Sequence, residues 1–485
     1  MNSYIEIKLK SPTISPQAST YRDNPLTQTA FSNLNLRPEL LSNLTSLGYE
    51  SMTPIQAQSL PHILEGKDVI AQSKTGSGKT AAFGLGLLHS VQIDSLQVQA
   101  LILCPTRELA DQVAKELRRL ARALANIKVL TLCGGMPLRP QAASLQYGAH
   151  IAVGTPGRIE DHVNRGTLKL DALRILVLDE ADRMLEMGFQ SELDAIVAHT
   201  PSKRQTLLFS ATFSNPIKAI AKRMMNAPVM AQIESSHDND SIEQHFYQVS
   251  HLEERMTALR LLLLQYNPES AVIFCNTKRE TEDIANALIY SGFSALALNG
   301  DLEQRERDQA MVRFTNKSIS ILVATDVAAR GLDIDALDAV INFHIAHDPE
   351  THVHRIGRTG RAGHKGMACS LFSEKESFKM TVLGDFLERD IKGEALPPIS
   401  ILKETPTKAS MATLQISGGK KQKIRPGDIL GALTAGNDIT GAQVGKIHTA
   451  DQWSYVAVSR DVVQVALKKL EQGKLKGKTF RVRLI

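Results

Sequence analysis

Tryptophan occurs once in this sequence and cysteine four times. The single tryptophan, Trp453, means that any tryptophan signal reports one place in the chain. Cys104, Cys133, Cys275 and Cys369 lie far apart, each in an apolar, strand-like context; this argues against a disulfide scaffold or a zinc-finger ligand set and points to reduced core thiols. No stretch is long and apolar enough to cross a membrane, and no apolar segment follows a basic start at the N-terminus. The sequence therefore predicts a soluble, cytoplasmic protein with no membrane partner. The histidines His344, His347, His352 and His354 have neither nearby cysteines nor a finger-like spacing, so no metal site is read there.

What is present is length, hydrophobicity and an uneven charge. At 485 residues, 43% of them hydrophobic, the chain is long enough for about three domains with packed cores. Its net charge is +5, but residues 410–485 carry 13 Lys and Arg against 5 Asp and Glu, a balance of +8 that leaves −3 elsewhere. A small basic domain on a near-neutral body points to a nucleic-acid-binding appendage. Residues 1–29, rich in Ser, Thr, Pro, Asn and Gln, read as a flexible leader. The polar run 233–243 reads as a hinge and residues 392–410 as a linker, which sets domains at 30–232, 244–391 and 410–485.

The central stretch is Ile175-Leu176-Val177-Leu178-Asp179-Glu180-Ala181-Asp182. Four apolar residues suit a parallel strand buried on both faces, with the carboxylates beginning at its carboxyl edge, where α/β sheets bind ligands. Beside a nucleotide triphosphate, Asp179 there would hold Mg²⁺ and Glu180 could orient or deprotonate the attacking water. Upstream, the strand 68–71 runs into Ser73-Lys74-Thr75-Gly76-Ser77-Gly78-Lys79-Thr80 and an apolar helix. Glycines let backbone amides curl round phosphate oxygens, Lys79 supplies charge to the β and γ phosphates, and the Thr80 hydroxyl can ligate Mg²⁺. Ser73 stands where the usual pattern has glycine. A helical pattern runs from Phe31 through Leu34, Leu36, Leu40, Leu41, Leu44 and Leu47 to Gly48, and Gln56 follows with an amide able to match an adenine edge. Further strands end in small, hydroxyl or basic residues that could line a phosphodiester backbone: 105–110, Gly134-Gly135, 155–158 and 210–212.

Gln56, the Gly78-Lys79-Thr80 loop and the runs 105–110, 155–158, 179–182 and 210–212 follow the order and spacing of the DEAD-box ATP-dependent RNA helicases. The chain resembles that family from about residue 31 to 405. The resemblance implies an α/β architecture of two RecA-like parallel-sheet domains that use ATP and Mg²⁺. By it, Phe31 and Tyr49 join Gln56 in reading adenine, the Ser73, Lys74, Thr75, Gly76, Ser77, Gly78, Lys79, Thr80 loop holds phosphate, and Thr80 and Asp179 hold the metal. Lys79, Asp179 and Glu180 act with the arginine fingers Arg358 and Arg361 in catalysis, and Gly331 and Asp333 meet the ribose. Arg107, Gly135, Thr155, Arg158, Thr325 and Arg330 meet RNA, with Asp326 beside them. No second phosphate loop occurs, so the second domain cannot hydrolyse ATP alone.

The last 75 or so residues read β, α, β, β, α, β, a small α+β domain of RNA-recognition architecture. Gly427 to Leu433, Val444 to Ile447 and Gly477-Lys478-Thr479 resemble the C-terminal domain of the DEAD-box protein A subgroup. That implies 23S ribosomal RNA and pre-50S particles as partners, and RNA rather than DNA. Alternation in 453–458 turns Val456 and Val458 toward the helices, and Trp453 and Tyr455 toward an open sheet face, with Arg481 and Arg483 on one side of the last strand. Lys474, Lys476 and Lys478 offer a rival basic rim, and both RNA surfaces stay open at this point. Two other functions also remain. A DNA-directed motor would respond to DNA oligomers, and an RNA chaperone or assembly scaffold with little turnover would give a flat ATPase response to its RNA.

Overall fold

A computed structural model describes residues 29–73, 76–233, 242–329, 337–360, 365–436 and 438–485. The leader therefore lies outside the described residues apart from Thr29, as does most of the hinge.

Seven short strands, β1 (Val69–Gln72), β2 (Ala100–Leu103), β3 (Val129–Leu132), β4 (Ile151–Gly154), β5 (Ile175–Leu178), β6 (Gln205–Ser210) and β7 (Val229–Gln232), form the first sheet. The order is β3-β4-β2-β5-β6-β1-β7, with every pairing parallel. Helices cover both faces, so β2, β5 and β6 are fully buried; β2 and β5 read as unbroken apolar runs instead of alternating ones, and β6 keeps Leu207-Leu208-Phe209 between buried polar ends. One consequence positions the chemistry: β5 and β1 flank β6. The carboxylates after β5, the hydroxyls after β6 and the phosphate loop after β1 thus leave adjacent strands at the same edge.

The second sheet repeats the plan with β8 (Ile242–Gln248), β9 (Ala271–Cys275), β10 (Ala295–Leu298), β11 (Ile321–Thr325), β12 (Ala339–Asn342) and β13 (Gly366–Phe372). Its order is β10-β11-β9-β12-β13-β8, again all parallel. Strand β8 escapes a reading by hydrophobic runs because Glu243, Gln244 and His245 interrupt it, as an edge strand allows, and β7 because its apolar run is only Val229-Met230-Ala231.

Two local expectations need correction. The helical pattern from Phe31 is a single 3₁₀ turn, Phe31–Asn33, and the α-helix is only Pro38–Ser46. Proline at the first helical position pushes Arg37 into extended backbone, so no helix can run through it. The stretch 392–410 is no loose linker. Glu394 N donates to Phe246 O at 2.7 Å, the turn Ile399–Lys403 packs on the helix Leu252–Tyr266, and Ala409 N donates to Ser294 Oγ at 3.3 Å.

The C-terminal domain is a four-stranded antiparallel sheet, β14 (Met411–Ile416), β15 (Val444–Thr449), β16 (Ser454–Ser459) and β17 (Val482–Leu484), in the order β15-β16-β14-β17. Helices Pro426–Thr434 and Val463–Gln472 cover one face, and Leu414, Ile416, Ile429, Leu433, Val456, Val458, Ala466 and Leu470 form the core beneath them. The opposite face carries Thr413, Gln415, Tyr455 and Ala457 and is buried as well, because the second helicase domain sits against it. Asn316 Nδ2 donates to Thr413 Oγ1 at 3.2 Å, the Ser318 hydroxyl bonds Thr413 Oγ1 at 2.5 Å, and Met411 N donates to Lys317 O at 3.2 Å.

Candidate nucleotide and RNA site at the domain cleft

The phosphate loop is braced from below. Thr53 Oγ1 donates to Ser77 O at 2.7 Å and Gln56 Nε2 to Gly78 O at 3.0 Å, while Gln56 Oε1 accepts from Thr53 N at 2.9 Å. Gln56 is 2% exposed, so its amide grips the loop and the turn that starts its own helix instead of standing open. Gly78 has φ +93°, and a Cβ there would stand 2.5 Å from Gln56 Nε2, so the loop can close over Gln56 only with glycine. Lys79, 7% exposed, donates from Nζ to Ser73 O at 2.8 Å, and the Ser73 and Ser77 hydroxyls meet at 2.8 Å. Ser73, in place of the usual glycine, thus ties the loop's two ends together. Phe31 is buried and meets Tyr49 edge-on at 6.1 Å. The Tyr49 hydroxyl donates to Glu116, and burial together with that carboxylate raises its pKa above the usual range, so it stays protonated.

Across β6, Asp179 is buried with its backbone N on Leu103 O at 3.0 Å and its Oδ1 accepting from Glu180 N at 3.1 Å. Burial pushes its carboxyl up to about 7 against the pull of Lys79. Glu180 adopts φ +51° and ψ +53°, a left-handed conformation that costs a non-glycine residue on the order of 1 kcal/mol, and its side chain does not cap the helix it precedes. Asp182 accepts from Ala211 N and Thr212 N at 3.0 Å each, locking the β5 turn to the β6 turn. Burial alone would raise its carboxyl, but the Thr212 amide and Lys79 hold it below the usual range. His354, brought from the second domain, is driven down to about 3 by burial and by Arg183, and is neutral.

These residues suit a nucleotide triphosphate and a hard cation. Gly76 and Gly78, both left-handed, open a backbone cradle beside an ammonium, while the Asp179 carboxylate and the half-buried Thr80 hydroxyl offer oxygen donors only.

The residues expected on the RNA side have these settings. Arg107 lies over Gly134 and Gly135; Gly135 has φ +73°, and a Cβ there would overlap the guanidinium. Arg107 also donates to Gln304 Oε1 of the second domain at 3.2 Å, and Arg307 pairs with Glu108 at 3.1 Å. Arg158 donates to Met136 O at 3.0 Å and to Gln141 Oε1 at 2.9 Å, and Thr155 sits at the N-terminus of its helix. Thr325 is buried, accepting from Ala328 N at 3.3 Å.

The arginines at spacing three have different settings. Arg355, 2% exposed, forks onto Asp326 with two bonds of 2.7 Å and also donates to Asn342 Oδ1 and His344 O; Asp326 is thereby a structural anchor rather than an open RNA contact. Arg358 is half-buried at the cleft. The other histidines of the cluster also part: His344 bonds Glu280 at 2.6 Å, and His352 stacks on Phe246. Lys74, Thr75, Arg330, Gly331, Asp333 and Arg361 lie outside the described residues.

The expected open aromatic face of the tail is corrected. Tyr455 is 5% exposed, with its hydroxyl accepting from Gln415 Nε2 at 3.3 Å, and Trp453 is capped by the Arg305 guanidinium 4.5 Å from its ring centre. Alternation placed both side chains on the right face; what it could not register is that another domain covers that face. Arg483 bonds Gln415 Oε1 at 2.6 Å. Lys474, Lys476, Lys478 and Arg481 stay exposed, Lys476 with Asp428 at 3.0 Å. The contacts of Glu108, Gln141, Asp182 and Arg305 went unread. Glu108 and Asp182 at least sit inside runs singled out for other residues.

Comparison with known proteins agrees with this geometry along nearly the whole chain. Family profiles match at residues 53–220 (DEAD/DEAH box helicase), 254–363 (helicase conserved C-terminal domain) and 413–484 (DbpA RNA binding domain). The ATP-dependent RNA helicase DbpA of Escherichia coli is 54% identical over 94% of this chain and all of its own length. The DEAD-box ATP-dependent RNA helicase CshA of Geobacillus kaustophilus is 45% identical over 72% of this chain and 74% of its own. The structure of S. cerevisiae Dbp5 bound to RNA and ADP BeF3 covers 78% of this chain and all of its own at 31% identity, with a TM-score of 0.69. With its two parallel-sheet domains meeting over the phosphate loop and the β5 carboxylates, and its small antiparallel domain behind them, this chain belongs to the DEAD-box ATP-dependent RNA helicases and is an RNA-dependent ATPase.

Proposed function

We propose that this helicase remodels 23S ribosomal RNA during assembly of the large ribosomal subunit, in the cytoplasm. The C-terminal domain holds the RNA, and the two helicase domains open a short duplex beside it. The observation that carries this reading is the basic domain matched at 413–484, which adds a balance of +8 and an exposed lysine rim to a body that is otherwise near neutral. Phosphate contacts by the helicase domains position RNA without reading sequence, so selectivity falls to the appended domain.

At the cleft, Lys79 and the backbone of 76–80 hold the ATP phosphates, Phe31, Tyr49 and Gln56 lie on the adenine side, and Glu180 takes the proton of the attacking water. Arg358, with Arg361, brings positive charge to the γ-phosphate from the second domain, and Gly331 and Asp333 meet the ribose. Thr80 and Asp179 would hold Mg²⁺, which when bound neutralises phosphate charge. The Asp182 link to Thr212 and the neutral His354 ring carry the state of one domain to the other. Arg107, Gly135, Thr155, Arg158, Thr325 and Arg330 contact the RNA backbone, and Lys474, Lys476, Lys478 and Arg481 the ribosomal RNA. Trp453 and Tyr455 position that domain instead of stacking on bases, and the exposed Arg483 joins the basic surface beside Arg481.

Crosslinking the protein to RNA in cells and reading the bound position tests the target, with crosslinks expected at one region of 23S ribosomal RNA. Crosslinks spread over many RNAs would favour a general chaperone, and an ATPase that ribosomal RNA leaves flat would favour a scaffold.

A further inference from the structure

The helix Arg107–Leu120 is gripped at both ends by parts of the chain that lie far from it in sequence. Its 14 residues span about 21 Å. At the N-terminal end, Arg107 lies over Gly134-Gly135 and donates to Gln304, and Glu108 pairs with Arg307 of the second domain. At the C-terminal end the partners are residues 31–49. Tyr49 donates its hydroxyl proton to Glu116 Oε1 at 3.0 Å and accepts from Arg119 Nη2 at 2.6 Å, and Arg119 closes the triangle with two bonds of 2.9 Å to Glu116. The Arg119 guanidinium also lies 5.3 Å from the Tyr49 ring centre. Asn43 Nδ2 donates to Arg119 O and Leu120 O at 3.0 and 2.8 Å, capping carbonyls that a helix end leaves without partners.

The apolar face of this helix, Leu109, Ala110, Val113, Ala114, Leu117 and Leu120, sits against the core and settles which side faces inward. Apolar packing is non-directional and resists tilting weakly, whereas bonds made at the two ends fix the helix as a strut. We infer that Tyr49, Glu116 and Arg119 form a positioning clasp through which nucleotide at the adenine side tightens the hold of Arg107 on RNA and presents Glu108 to Arg307. Glu116 and Arg119 are positioning residues, since they touch neither ligand. When adenine orders the segment carrying Phe31 and Tyr49, the clasp fixes the far end of the strut. The near end then holds the orientation in which both domains and the RNA loop meet it. By linkage, RNA must tighten nucleotide binding by the same factor. The clasp rests on the proposed adenine-side placement of Phe31 and Tyr49 and on Arg107 as an RNA contact.

The test uses the full chain, a labelled single-stranded RNA oligomer and a non-hydrolysable ATP analogue. The RNA Kd is measured with and without the analogue, and the ratio of the two is the coupling. Glu116→Ala and Arg119→Met should each lower that ratio at least threefold, while the RNA Kd alone and the analogue Kd alone stay within twofold of the parent. Glu116→Gln, which keeps an acceptor for the Tyr49 hydroxyl, should retain more of the ratio than Glu116→Ala. The double variant should be no worse than either single one, because both break the same link. A parent-like ratio in Glu116→Ala and Arg119→Met overturns the clasp. So does a fall that already appears in the analogue Kd without RNA, which would mean local repacking at the adenine side. A parent whose own ratio is one would overturn the underlying reading of the cleft instead.

Discussion

At the scale of single residues, type and spacing announce the chemistry, but backbone conformation does not. Asp179 and Glu180 stand out because carboxylates follow a buried apolar strand. Nothing in the sequence signals that Glu180 takes φ +51°, because a left-handed non-glycine residue is held there by its surroundings. Glu180→Gln is a clean change: the shape stays, the proposed base is lost, and Lys79 and Asp179 remain for their proposed binding roles. Turnover should fall by about 10²-fold or more with ATP and RNA affinities retained, as single-turnover hydrolysis and equilibrium binding would show. Parent-like hydrolysis would remove Glu180 from the proton transfer. Gly135→Ala tests the other side of the cleft. Its Cβ would overlap the Arg107 guanidinium at a left-handed position, so RNA affinity should drop while nucleotide affinity holds. Equal losses of both would mean the whole domain had shifted.

At the scale of elements, the buried parallel strands were legible because burial on both faces leaves long apolar runs, as in Ala100–Leu103 and Ile175–Leu178. The edge strands Val229–Gln232 and Ile242–Gln248 were not, and neither was the break before Pro38, where apolar spacing outweighed proline in the reading. Side chains that hold elements together were the least visible. Arg355 looked like one more basic residue in a phosphate-binding run, yet it bridges β11's end, β12's end and its own helix through Asp326, Asn342 and His344. Asp326→Ala would leave that guanidinium buried without its main partner. The expected loss is about 3 kcal/mol of stability, at the low end for broken buried pairs because Asp326 is 28% exposed. Urea unfolding would measure it, and a loss below about 0.5 kcal/mol would mean that the neighbouring acceptors suffice.

At the scale of the whole molecule, the order of domains could be read but their contacts could not, since docking surfaces leave no periodic trace in a sequence. The tail sheet illustrates this. Alternation separated Val456 and Val458 from Trp453 and Tyr455, and the second helicase domain then covered the aromatic face. Trp453, the only tryptophan, therefore reports docking. The Arg305 guanidinium over its ring contributes on the order of 1 kcal/mol, and the short connection between the domains keeps the tail at high effective concentration. Arg305→Ala alone should then shift Trp453 emission only slightly to the red. Adding Thr413→Val removes the acceptor for Asn316 and leaves the Asn316 and Ser318 polar groups facing a methyl, at about 1–3 kcal/mol. The double variant should release the sheet, shifting emission further and lowering ATPase stimulation by ribosomal RNA, because the tail would still bind RNA without presenting it to the cleft. Saturating the parent with RNA should leave the emission nearly unchanged, since the Arg305 guanidinium already occupies a face of the ring on which a base would stack. Strong quenching of the parent by RNA, with no emission change in the double variant, would return Trp453 to the role of a base-stacking platform.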